Sequence, residues 1–111
     1  PWLLAQERAK KCGRALGRAL LDGVFGRRPV SLFGFSLGAL VVLHCLLELS
    51  AAGGPDAFGR IEHVVWLGLP AKTPSPATLR MLRAVVAGRF VHGYCRTDWL
   101  LKFLFRTTEL H

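Results

Sequence analysis

Pro29-Val30-Ser31-Leu32-Phe33-Gly34-Phe35-Ser36-Leu37-Gly38-Ala39 decides how the rest of this chain is read. Its first five residues have the length and composition of a short buried strand, and the apolar run from Ala39 to Leu49 reads as the helix that follows. Between them lies a G-x-S-x-G pentapeptide at 34–38. A nucleophile elbow turns so abruptly from strand to helix that its serine is held at positive φ, and side chains two residues to either side would collide with the turn. Glycine at 34 and 38 removes that clash. The pattern predicts a Ser36 hydroxyl at the tip of the turn, with the backbone N–H of Leu37 as one donor of an oxyanion hole near a helix N-terminus. The alternative is a glycine-rich βα turn in which Ser36 only caps the helix.

Outward from the pentapeptide, helices and strands alternate. Leu3 to Leu21 has helical spacing of apolar residues, with Lys10, Arg14 and Arg18 as an i, i+4 basic ladder on another face. Gly13 and Gly17 weaken this helix but allow close packing on a neighbour. Such a helix either covers a sheet with its basic side in water or lies on a membrane surface. Gly53 to Asp56 reads as a loop, Ile61 to Leu67 as a second strand, and Pro70 to Pro76 as another loop. Ala77 to Val86 reads as a helix, Arg89 to Tyr94 as a third strand, and Trp99 to Phe105 as a short apolar helix beginning after Thr97-Asp98. The order predicts an α/β domain with a three-stranded parallel sheet and right-handed crossovers. Residues 33–52 are long enough to raise the question of a membrane span. Gly34, Ser36 and Gly38 at one end, with His44 and Glu48 at the other, fit a strand plus a helix better.

The 111 residues suit one domain, and 51% hydrophobic with 20% charged residues is a globular balance. The net charge of +8 favours phosphates or anionic lipid. No nucleic-acid motif is present and aromatics do not interleave with the basic residues, so no nucleic-acid partner is expected. Cys12, Cys45 and Cys95 form no C-x-x-C pair, which argues against a zinc site or a disulfide framework and for a reducing compartment. No cofactor or metal is expected. A complete hydrolase sheet needs more chain than this, and the first residue is Pro1, so a fragment of a larger protein is expected.

In open parallel sheets, functional groups gather at the carboxyl ends of strands. Ser36 follows the first strand, Leu69-Pro70 the second and Cys95 to Asp98 the third. Asp98 fits the acid of a triad, since α/β-hydrolases run Ser, then Asp or Glu, then His. It would equally cap the helix at Trp99. The histidine is the difficulty. His44 lies about 12 Å along the helix from Ser36, too far to serve as its base. His63 and His92 fall inside strands, and His111, the one histidine after Asp98, ends the chain. Without a base Ser36 is an unactivated hydroxyl, so these 111 residues alone are expected to lack esterase activity.

Three blocks, RPVSLFGFSLGA at 28–39, IEHVVWLG at 61–68 and GRFVHGYCRTDWLLKFLFR at 88–106, come in the order and style of one family. They resemble the transmembrane and coiled-coil domain-containing protein 4 family, α/β-hydrolase-like membrane proteins, over nearly the whole chain. The third block is the most specific. The resemblance implies a partial α/β-hydrolase fold in which Ser36 matches the elbow serine and Asp98 the later aspartate. It further implies membrane-spanning segments upstream, a strand and a glycine–histidine pair downstream, and a membrane-associated protein with this domain on the cytosolic side. Lipid esters would be the substrates. Leu40 stands where the family leads one to expect arginine, and Leu69 where it leads one to expect alanine. The competing expectation is a non-catalytic hydrolase-like scaffold that binds membrane or protein partners through Lys10, Arg14, Arg18, Arg27 and Arg28.

Overall fold

The computed structural model describes residues 1–93. Cys95, Asp98, His111 and the helix expected at 99–105 lie outside the described residues. Within them the elements are α1 (Trp2–Leu21), β1 (Val30–Phe35), α2 (Leu37–Ala52), α3 (Pro55–Phe58), β2 (Ile61–Leu67), α4 (Pro76–Ala84) and β3 (Phe90–Gly93). The strands form one parallel sheet in the order β1-β2-β3.

Register explains which strand residues become core. Leu32, Val64 and Phe90 stand side by side across the sheet, as do Gly34, Trp66 and His92. Strand residues alternate faces, so these two rows share one face. That face meets the helices, and Val64 and Trp66 are fully buried there with Leu40, Leu46 and Leu49 of α2 and Leu82 of α4. The connections β1-α2-β2 and β2-α4-β3 lie on the same side, where α2 and α4 touch. The intervening row Phe33, Val65 and Val91 points the other way. Phe33 is 73% exposed and Val91 44%.

α1 packs on α2 through its glycines. A Cβ on Gly13 would lie 2.5 Å from the Val41 carbonyl oxygen, and one on Gly17 would lie 2.8 Å from Glu48 Cβ. Both pairings advance in the same direction, so the two helices run parallel. The expected basic ladder is partly absorbed by packing: Arg18 pairs with Glu48 of α2 at 3.4 Å, and Lys10 with Glu7 at 3.4 Å.

One expected loop is a helix turn. Pro55–Phe58 forms α3 where Gly53 to Asp56 reads as irregular. Gly53 and Gly54, at φ 63° and 78°, turn the chain, and Pro55 then occupies the first helical position, where its fixed φ suits the helix and its missing N–H costs nothing. Ala57 is completely buried by this turn.

Candidate functional site

The turn between β1 and α2 contains Ser36, the one non-glycine residue at positive φ among the described residues. Its φ and ψ are 57° and −120°. The backbone locks it there: Ser36 N–H donates to the Leu67 carbonyl at 2.9 Å, while Ala39 and Leu40 N–H donate to the Ser36 carbonyl at 2.9 and 3.3 Å. The turn is thus tied on one side to the end of β2 and on the other to the first turn of α2.

Ser36 does not behave as a helix cap. An ordinary N-cap has extended φ and ψ and accepts an N–H two or three residues on. Ser75, at the start of α4, does both, with φ −61°, ψ 157° and a 3.1 Å bond from Thr78 N–H. Ser36 has neither the conformation nor the bond. The capping alternative is therefore not the geometry observed, and the hydroxyl is left to other uses.

The two glycines play unequal parts. A Cβ on Gly34 would sit 2.5 Å from the Gly38 carbonyl oxygen and 2.8 Å from Ala39 Cα, so only glycine lets the strand approach the helix. At Gly38 an added Cβ would meet nothing within 4 Å among the described residues. The clash expected there is absent because this position faces open space beside the turn. The N–H groups of Leu37 and Gly38, first in α2, have no hydrogen-bond partner among the described residues. Leu40, where arginine was expected, is 1% exposed and fills the core. Leu69, where alanine was expected, packs against the same core.

None of the described histidines is beside Ser36. His44 lies between α2 and α1, where burial and then Lys10 and Arg14 push its pKa below the ordinary 6.5, with Glu7 opposing. His63 sits toward the amino end of the sheet, its Nδ1 accepting the Arg89 N–H at 2.8 Å and its Nε2 3.6 Å from Glu62. His92 lies within β3, as the sequence suggested. It is level with Trp66, two strands from β1, so roughly 10 Å of sheet separates it from the strand that carries Ser36. Its Nδ1 accepts the Trp66 indole N–H, and the two rings meet edge to face at 5.6 Å. Among the described residues no cluster of histidine, cysteine, aspartate or glutamate could hold a metal ion.

Sequence reading missed two contacts that shape the region. Gln6 of α1 donates from its side-chain amide to the Pro70 carbonyl at 3.0 Å, which fixes the start of α1 beside the loop after β2. Arg60 is 5% exposed, donates to the Arg27 carbonyl at 3.2 Å and pairs with Asp56 at 3.5 Å. Arg27 also pairs with Asp56. A lone arginine before an apolar strand carries no signal that distinguishes it from a solvated one.

The whole chain, residues 1–111, matches the family model described as "Protein of unknown function (DUF726)". It is 47% identical over 107 residues to Uncharacterized membrane protein F35D11.3 of Caenorhabditis elegans, covering 96% of this chain and 17% of that protein. Probable lipase MIL1 of Saccharomyces cerevisiae is 43% identical over 106 residues, 96% of this chain and 10% of that protein. Transmembrane and coiled-coil domain-containing protein STS1 of Oryza sativa subsp. japonica is 43% identical over 109 residues, 98% of this chain and 16% of that protein. The chain thus spans less than a fifth of the length of these relatives. No solved structure matches it.

Proposed function

The chain belongs to the DUF726 family, with a relative bearing the transmembrane and coiled-coil name that its three blocks suggested, and from that premise we propose that it is the nucleophile-elbow segment of a serine ester hydrolase of the α/β-hydrolase type. The observation that carries this reading is Ser36 itself. A side chain held at φ 57° without a capping bond, in a turn that only Gly34 permits, keeps a strain that helix capping does not need. The name of the yeast relative, a probable lipase, points the same way.

In this mechanism the Ser36 hydroxyl oxygen attacks an ester carbonyl, and the charge that develops on the carbonyl oxygen is received by the Leu37 N–H. The alcohol leaves, and water then releases the acid from the acyl-serine. A histidine beyond the described residues takes and returns the proton, and Asp98 holds its tautomer. Lipid esters are the proposed substrates and the cytosolic face of a membrane the proposed setting, since several relatives are named as membrane proteins.

A fluorophosphonate probe applied to the full-length protein tests this. Labelling that disappears in Ser36→Ala is expected, and Asp98→Asn should slow turnover by up to about 10⁴-fold. A second reading, a non-catalytic scaffold of the same fold, draws on the absence of a described histidine within reach of Ser36. Full-length protein that refuses the probe while remaining folded would select the scaffold.

A further inference from the structure

We propose that the first two turns of α1 dock the molecule on anionic lipid and turn the carboxyl end of the sheet toward the bilayer. α1 starts with three exposed apolar side chains, Trp2, Leu3 and Leu4, at 53%, 74% and 47% exposure. Among the described residues none of the three packs on the core, and the helix meets α2 through Ala9, Gly13, Gly17 and Leu20. Trp and Leu in such a cluster suit the boundary between headgroups and acyl chains.

Charge follows at the right depth. Arg8, Lys11 and Arg14 are exposed, and among the described residues they have no ion-pair partner. The acidic Glu7 nearby is engaged by Lys10, and Arg18 by Glu48. Leu4, Arg8 and Lys11 are spaced i, i+4, i+7, along the side of the helix away from α2. Arg8 lies about 6 Å and Lys11 about 10 Å along the axis from Leu4. With the apolar tip in the boundary layer, both cations reach phosphate depth. An exposed apolar helix end followed by unpaired cations matches a headgroup layer rather than the apolar seat of a peptide.

Placement connects this tip to the turn. Gly13 packs against Val41, His44 and Cys45 and Gly17 against Cys45 and Glu48, so Ala9 is about level with Ala39 and the start of α1 extends roughly 7 Å past the start of α2. The Gln6–Pro70 hydrogen bond pins that extension to the loop after β2. The tip of α1 and the Ser36 turn are therefore at the same end of the molecule. Docking itself stands on α1. That it delivers lipid to Ser36 rests on the hydrolase reading.

Co-sedimentation of the 111-residue chain with phosphatidylcholine vesicles, with and without phosphatidylserine, tests the proposal. Binding should need phosphatidylserine and fall with salt, and neutralising Arg8 or Lys11 to Gln should weaken it about fivefold each. Replacing Trp2, Leu3 and Leu4 together by alanine should lower it at least about tenfold. Brominated lipid should quench tryptophan fluorescence in the parent chain and less in Trp2→Phe. Binding that survives the triple replacement, ignores phosphatidylserine, or leaves the quenching of Trp2→Phe unchanged overturns the proposal. Ser36→Ala should bind vesicles like the parent. Docking without probe labelling of the full-length protein would then sink the hydrolase reading alone, and labelling without docking would sink this proposal alone.

Discussion

Ser36 occupies a backbone conformation that disfavours any residue with a Cβ, at a cost on the order of 1–3 kcal/mol. That strain gives a test separate from catalysis. Ser36→Gly should be more stable than Ser36→Ala by about 1 kcal/mol in urea unfolding, because glycine alone relaxes at φ 57°. At an ordinary cap glycine would fall a few tenths of a kcal/mol below serine, so Ser36→Gly rising above the parent is the result that separates strain from capping. Its neighbours divide in the same way. Gly34→Ala should cost about 3 kcal/mol, since the new Cβ meets the Gly38 carbonyl and Ala39 backbone, which cannot yield like a side chain. Gly38→Ala, which meets nothing among the described residues, should gain about 0.5–1 kcal/mol from helix propensity. The backbone of the turn was legible at two positions, the positive φ of Ser36 and the crowding at Gly34, where the strand passes the start of the helix within van der Waals distance. The pentapeptide was misleading for Gly38, because a motif cannot say on which side of a turn the space lies.

At the scale of elements, the pairing of α1 with α2 turns a histidine into a pH-dependent contact. His44 faces α1 with Lys10 and Arg14 nearby, and its pKa lies below the ordinary 6.5 in the folded state. The unfolded state therefore binds the proton more readily, and folding loses stability as pH falls from 6.5 through the lowered folded value. Urea midpoints should drop over that window, and His44→Gln should remove most of the drop. A slope that is unchanged in His44→Gln would place the titrating group elsewhere. The elements themselves were largely legible, since β2 is Ile61–Leu67 as its apolar run suggested and α2 follows Ser36 directly. The glycines of α1 signalled close packing, and that is what they provide. What stayed hidden was the partner of each charge. Arg18 reads as solvated until α2 brings Glu48 to 3.4 Å, and Arg60 until α3 brings Asp56. The first meeting joins helices separated by many residues, and the second needs a helical turn where the composition reads as a loop, neither of which periodicity reports.

For the molecule as a whole, the sheet is covered on one face only among the described residues. Parallel sheets ordinarily have both faces packed, because their strands are apolar on both. Here Phe33, Leu67 and Val91 stand 73%, 38% and 44% exposed on the face opposite α2 and α4. Among the described residues no strand pairs with the outer edge of β1 or of β3. Apolar area of this kind drives association, so the 111-residue chain should self-associate with rising concentration and bind a hydrophobic dye. Phe33→Ser takes the most exposed ring of that row away without entering the core. It should shift sedimentation toward monomer and reduce dye binding, while changing unfolding stability by no more than about 0.5 kcal/mol. The α1 tip predicts a different pattern, since replacing Trp2, Leu3 and Leu4 should leave self-association nearly intact. If that replacement disperses the chain and Phe33→Ser does not, the open sheet face is not the surface that drives assembly.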